Sequence, residues 1–254
     1  MTAPATETAP AAGLRTVRVS VFRRKEGDDP AAERYDTFDV AVGPQATILD
    51  ALFAIRRQQD ATLAFRHSCF HASCGTCGMR VNGREGLACV TPVPAGEEVV
   101  VEPLANIPIL SDLVVDMRAF YDEFDEAGRP LVRRDDLLPE CEPADGIVEL
   151  ERYEDCIECG ICLSACPVAG SDPRYVGPAA LAAAWRVVEE PRGADPGPVL
   201  RLMDSEQAAW RCHVAWECSE ACPSGVDPAG AIMRLRRAAV AARARRLFSF
   251  GGNR

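Results

Sequence analysis

Twelve cysteines in 254 residues, eleven of them in recognisable groups, are the side chains here whose type and spacing could do chemistry. Cys156, Cys159, Cys162 and Cys166 fall in CIECGICLSACP, spaced C-x2-C-x2-C-x3-C, with Pro167 directly after the last. That spacing ligates iron–sulfur clusters, and in it the fourth thiolate serves a second cluster. The stretch therefore predicts a partner, which appears fifty-six residues on: Cys156 falls on Cys212, Cys162 on Cys218, Cys166 on Cys222 and Pro167 on Pro223. Cys159 has no counterpart, because Ala215 stands in its place.

With the fourth ligands exchanged between the two runs, Cys156, Cys159, Cys162 and Cys222 make a complete [4Fe–4S] site. Cys166, Cys212 and Cys218 are left as three ligands where a cubane takes four. An iron without a protein thiolate is easily lost, so a [3Fe–4S] cluster is expected there. Three thiolates also leave the site less negative, and net charge is one of the terms that sets potential. This cluster is expected to be the better electron acceptor.

A further group, Cys69, Cys74, Cys77 and Cys89, is spaced C-x4-C-x2-C-x11-C. Its first part is the plant-type [2Fe–2S] pattern. Gly75 and Gly78 lie in the same loop, where bare backbone can approach a cluster and aim N–H groups at its sulfurs. Zinc is the alternative for any four-cysteine set. It usually takes two well-separated C-x2-C knuckles, and one crowded loop plus a distant cysteine suits it poorly. Cys141 belongs to no group and reads as an ordinary free thiol.

The elements that must position these ligands follow from periodicity. Thr16–Phe22 and Tyr35–Val42 alternate as half-buried strands, and Thr47 can cap a helix over ILDALFAIRRQQ with Asp50 in a capping box. Short strands near Met79–Asn82 and Glu98–Glu102 complete a small mixed sheet gripping one helix, a β-grasp ferredoxin arrangement over residues 14–108. Ser111 is expected to cap a helix reaching Phe124, after which strand signals give way to helix. PRGADPGP reads as a loop, Asp204 or Ser205 as the cap of a short helix leading to Cys212, and Pro178 and Asp227-Pro228 as helix starts. The fold class is thus α+β, with an α-helical ferredoxin domain over 109–254 behind the β-grasp domain. Residues 1–13 read as a disordered tail without the features of a signal peptide.

The formal charge of −10 argues against nucleic acid as a partner. No apolar run approaches the length that crosses a bilayer. The region after Asp227 lacks acidic residues and carries Arg234, Arg236, Arg237, Arg243, Arg245, Arg246 and Arg254. It reads either as a solvated helix face or as a docking surface for an acidic subunit or anionic headgroups. No hydrolytic constellation and no G-x-G-x-x-G fingerprint emerges, so neither flavin nor nicotinamide is expected on this chain. Clusters are one-electron carriers, and a row of them makes a wire.

From about Thr16 to Phe248 the chain resembles the iron–sulfur subunit of the succinate dehydrogenase/fumarate reductase (succinate:quinone oxidoreductase) family. The resemblance is carried by the three cysteine groups in order, NGREGLAC ending at Cys89, LVVDM at Leu113–Met117, Val176-Gly177-Pro178-Ala179 and Val226-Asp227-Pro228. It implies [2Fe–2S], [4Fe–4S] and [3Fe–4S] clusters in line, in an oxidoreductase subunit that carries electrons but not the dicarboxylate chemistry. One end would face an FAD-containing flavoprotein subunit that interconverts succinate and fumarate. The other would face a quinone held against a membrane-anchor subunit, with His213 and Pro167 near it and His213 able to supply a proton. The implied location is peripheral, at the cytoplasmic face of the inner (plasma) membrane. Two departures stand out: Gly170-Ser171 where many ubiquinone-reducing members have paired tryptophans, and Phe70-His71-Ala72 in the first cysteine loop. An iron–sulfur carrier for a different flavoprotein dehydrogenase is the alternative, and a cluster-based sensor a more distant one.

Overall fold

The computed structural model describes residues 13–96, 98–128, 153–190 and 195–249. Strand β1 (Arg15–Arg23) pairs antiparallel with β2 (Arg34–Val42) without a break, from Arg15 opposite Val42 to Arg23 opposite Arg34. Its alternating Val17, Val19 and Val21 are buried, which is the period-two signal converted into a core face. Strand β5 (Glu98–Glu102) lies parallel to β1 on its other side. Strands β3 (Gly78–Val81) and β4 (Arg84–Leu87) complete the order β2-β1-β5-β3-β4. The β3–β4 turn is Asn82-Gly83, both with positive φ (50° and 76°), the pair that a tight two-residue hairpin requires.

Helix α1 (Ile48–Gln58) is held by this sheet. Thr47 and Asp50 form the expected reciprocal capping box, and Ile48, Leu49, Leu52 and Ile55 are buried on one face. The grasp deduced from two strands, a helix and short strands is the arrangement present.

The expected helix from Ser111 is corrected. Ile109–Ser111 (β6) and Val114–Val115 (β7) form a two-stranded ribbon, and α2 (Arg118–Gly128) begins later. The β-branched pair Val114-Val115 prefers extended backbone. Asp112 turns the ribbon at φ 49°. Asp116 then accepts the Arg118 N–H at 3.0 Å and supplies the helix start. The ribbon is tied to the sheet through Arg23, which is 4% exposed and ion-paired with Asp36, Asp60 and Asp112.

From Arg118 onward every regular element among the described residues is helical: α3 (Ile161–Ser164), α4 (Pro167–Ser171), α5 (Pro178–Glu189), α6 (Gly197–Met203), α7 (Glu217–Glu220) and α8 (Pro228–Ser249), with a 3-10 turn at Ala209–Arg211. A second correction falls here, since α6 precedes Asp204 and Asp204 ends that helix instead of starting one. Asp195 accepts the Gly197 N–H at 2.9 Å, so the proline-bearing stretch opens a helix as Pro often does in a first turn. Ala180, Ala182 and Ala184 of α5 are buried along with Leu181, in one core with Ile232 and Leu235 of α8. Small side chains let the two helices come close. The expected tail, and the connector containing Cys141, lie outside the described residues, save Gly13 and the end of α2. No helix among the described residues is long and apolar enough to cross a membrane.

Candidate metal centres

The loop between α1 and β3 carries Cys69, Cys74 and Cys77 of the first cysteine group, and Cys89 joins them from just after β4. The Cys69 sulfur accepts backbone N–H groups from His71 (3.5 Å), Ser73 (3.3 Å) and Cys74 (3.4 Å), and Cys89 accepts one from Ala72 (3.4 Å). Phe70 and Ala72 take positive φ (64° and 61°) to aim those groups inward. The His71 N–H above all draws the Cys69 thiol down to about 6, because donors favour the charged sulfur. Cys77 is buried, and burial pushes its thiol up to about 12. Cys69 and Cys74 are half-buried while Cys77 and Cys89 are buried, so the four sulfurs fall into an outer and an inner pair. Phe70 is anchored by stacking on Phe53 of α1 with ring centroids 5.8 Å apart. The His71 ring is exposed and bonds the Cys69 carbonyl; what reaches the sulfur is its backbone.

The second and third groups assemble across the two runs. Cys156, Cys159, Cys162 and Cys222 line one cavity, while Cys166, Cys212 and Cys218 line a neighbouring one with Ala215. The echo extends to the backbone. Glu158 and Gly160 have φ of 53° and 76°, and their counterparts Val214 and Trp216 have 60° and 67°. Each pair flanks the position where one run has Cys159 and the other Ala215, and each opens a four-residue helix, α3 or α7. Helices α5 and α8 begin between the cavities: Pro178 lines the third site and Ala179 the second, Pro228 the second and Ala229 the third. Two helix N-termini thus bring positive dipole ends to sites that would hold anionic clusters.

Burial pushes the Cys159 thiol to about 11 and the Cys218 thiol to about 12, and raises Cys156, Cys162 and Cys166 as well, with neighbouring cysteines adding to each. Such a cage keeps its protons unless a cation displaces them, and coordination does that outright. Among the described residues no three His, Cys, Asp or Glu side chains close on a single point as one metal ion needs. Thiols ringing a space suit a multi-iron cluster.

The first site abuts the second. A Cβ on Gly75 (φ 70°) would meet the Ile157 carbonyl at 2.8 Å, and one on Gly78 would meet the Cys159 carbonyl at 3.3 Å. Met117, from LVVDM, fills the space beside Gly160. Asn106 donates to the carbonyls of Leu163 (3.0 Å), Ser164 (2.9 Å) and Cys166 (3.0 Å), finishing α3 from outside. Ser164 in turn donates to Glu85 at 3.0 Å. None of these links was foreseen, because partners distant in sequence leave no local pattern. The second site meets the third where Cys162 and Cys218 interact inside one shared core.

The third site is open to the outside. Pro167, His213 and Ala215 line it and are exposed, as is Trp216 at 43%. Two of the C-terminal arginines are engaged next to this site. Arg236 donates to the Ala209 carbonyl (2.7 Å) and the Cys212 carbonyl (2.6 Å), and Arg243 pairs with Asp204 at 2.7 Å, both guanidinium groups lying over Trp210.

Comparison with known proteins first gives the class. Residues 18–122 match the family described as a 2Fe-2S iron-sulfur cluster binding domain, and residues 152–226 the family described as a 4Fe-4S dicluster domain. The chain is an iron–sulfur protein built from these two modules. It is 37% identical over 233 residues to a fumarate reductase iron-sulfur subunit of Mycobacterium tuberculosis, covering 87% of this chain and 93% of that one. It is 34% identical over 228 residues to the Escherichia coli O6:H1 fumarate reductase iron-sulfur subunit, covering 88% and 93%. Its fold matches a chain of the Mycobacterium smegmatis Sdh1 complex in the apo form, with a TM-score of 0.81 at 22% identity over 91% of this chain and 98% of that one. The chain belongs to the fumarate reductase/succinate dehydrogenase iron–sulfur subunit family.

Proposed function

We propose that this subunit relays single electrons between the FAD of a flavoprotein subunit and a quinone at a membrane-anchor subunit. Cys69, Cys74, Cys77 and Cys89 would hold a [2Fe–2S] cluster. Cys156, Cys159, Cys162 and Cys222 hold [4Fe–4S], and Cys166, Cys212 and Cys218 hold [3Fe–4S]. When bound, the clusters supply one-electron carriers, and the chain's own residues set their spacing, charge and exposure. The second module is an α-helical ferredoxin domain, and the subunit sits peripherally at the cytoplasmic face of the inner membrane through its partners. Pro167 and His213 stand at the quinone end.

The observation that carries this reading is the single file of three cages. The loop of the first touches the ligand loop of the second, the second shares a core with the third, and the third opens at an exposed lip. A file whose last cage opens at the surface suits relay better than substrate chemistry.

The test is an EPR redox titration of the anaerobically isolated complex. An oxidised [3Fe–4S] signal, joined on reduction by [2Fe–2S] and [4Fe–4S] signals, is expected. Two [4Fe–4S] signals with no [3Fe–4S] species in fresh complex would overturn the assignment and favour a plain ferredoxin-like carrier.

A further inference from the structure

The third cage contains a buried polar group that its ligand set leaves unused. Tyr175 lies in the turn before α5, fixed by its own N–H to the Asp172 carbonyl (3.1 Å) and by Val176 N–H to the Gln207 carbonyl (3.0 Å). The residue is 6% exposed and lines the cavity with Cys166, Cys212 and Cys218. Its Oη is buried and has no hydrogen-bond partner of good geometry among the described residues. The side chain it interacts with as an acceptor is the Cys212 thiol.

A buried hydroxyl without a partner suffers its full desolvation cost, which a phenylalanine of the same shape would avoid. The group makes sense when an acceptor stands in the cavity, and cluster and thiolate sulfurs are acceptors. Resting on the [3Fe–4S] reading above, we propose that Tyr175 Oη donates a hydrogen bond to sulfur at the Cys212 side of the three-ligand cluster and so holds that cluster's reduction potential up. The sign follows from charge. The reduced cluster carries one more electron, a donor at sulfur stabilises that form more than the oxidised one, and hydrogen bonds to the sulfurs are among the terms that set potential. Tyr175 is a positioning residue for electrons: it makes the last cage in the file the lower-energy destination.

The experiment is a potentiometric EPR titration of the assembled complex carrying Tyr175→Phe, with proton ENDOR of the oxidised [3Fe–4S] cluster in H2O and D2O. At the wild-type midpoint, the reduced-to-oxidised ratio of this cluster is expected to fall about tenfold in the variant, equivalent to ~59 mV for a one-electron couple. The other two midpoints stay in place, and one exchangeable proton coupling disappears. If Tyr175→Phe does not retain the cluster, a fluorotyrosine at position 175 decides, since its stronger donor must move the midpoint upward. A [3Fe–4S] signal whose midpoint and exchangeable coupling are indifferent to these changes overturns the role of Tyr175 alone. Absence of any [3Fe–4S] signal from the wild-type complex overturns the underlying cluster assignment as well.

Discussion

The Cβ that Gly75 lacks would lie 2.7 Å from the Cβ of Cys159, so the loop of the first cage and a ligand of the second meet with no room for a side chain between them. Electron transfer slows steeply with the gap to be crossed, and here the ligand loops of the two modules are in direct contact. Gly75 also sits at φ 70°, a conformation that side chains resist. Two independent requirements select glycine here.

Gly75→Val is therefore expected to push the modules apart and strain the loop. The combined cost of overpacking and left-handed backbone is on the order of 2–4 kcal/mol. A lowered melting temperature, together with slowed reduction of [4Fe–4S] by [2Fe–2S] in freeze-quench EPR, is the outcome to look for. Wild-type values for both would show that the contact carries neither stability nor electrons.

Ala215 stands in a turn whose flanking residues repeat the geometry around Cys159. Ala215→Cys should place a fourth thiolate in a mould already shaped for it. The expected result is replacement of the oxidised [3Fe–4S] EPR signal by a [4Fe–4S] centre of lower potential, because an added thiolate makes the site more negative. Persistence of the [3Fe–4S] signal with a free thiol at position 215 would mean that the turn does not aim the side chain inward.

His213 is exposed at the lip of the third cage, beside Pro167 and next to Cys212. In the proposed role as proton donor, His213→Ala should lower quinone reduction by the assembled complex by about 10²–10⁴-fold while leaving all three EPR signals in place, the range for losing one positioned acid or base. Unchanged turnover with quinone would remove the role.

Arg23 tests the electrostatics of the first module. Thr62 and Arg23 hold the Asp60 carboxyl down to about 2. The sign follows from linkage: a depressed carboxylate contributes stability above its ordinary value, and that contribution is lost only as pH falls toward about 2. This pair should therefore leave wild-type stability flat between pH 8 and 5. Arg23→Met strips the cation from three carboxylates and should cost about 3–5 kcal/mol at pH 8. In urea denaturation the variant should recover stability as pH falls, because protonation relieves the uncompensated charge. A pH-independent deficit would point to lost packing instead.

What could be read from the sequence was local in nature. Cysteine spacing reflects geometry within one loop, and the echo of Cys156 in Cys212 brought the two runs together before any fold was known. The Thr47–Asp50 box is likewise a three-residue affair. Strand β4 is not legible in the sequence although Asn82-Gly83 is a hairpin signal, because REGL looks like no strand by composition. Ser111 resembles a cap because serine commonly is one; the pairing of its strand with Val114-Val115 outweighs that preference. The clamp from Asn106 onto the Cys166 carbonyl and the meeting of Gly75 with Cys159 depend on how two modules dock, and nothing in either local stretch announces it.

The interleaving of the two runs has a consequence for the life of the protein in the cell. Cys222, which lines the second cavity, is translated long after the Cys156–Cys162 run, while Cys166, which lines the third, must wait for Cys212 and Cys218. In the proposed ligand set neither cage can be closed on the nascent chain until the second run, Cys212–Cys222, has left the ribosome. Iron delivery to this module is thereby postponed until both runs have emerged, and a truncated chain that ends before Cys212 is denied both centres at once.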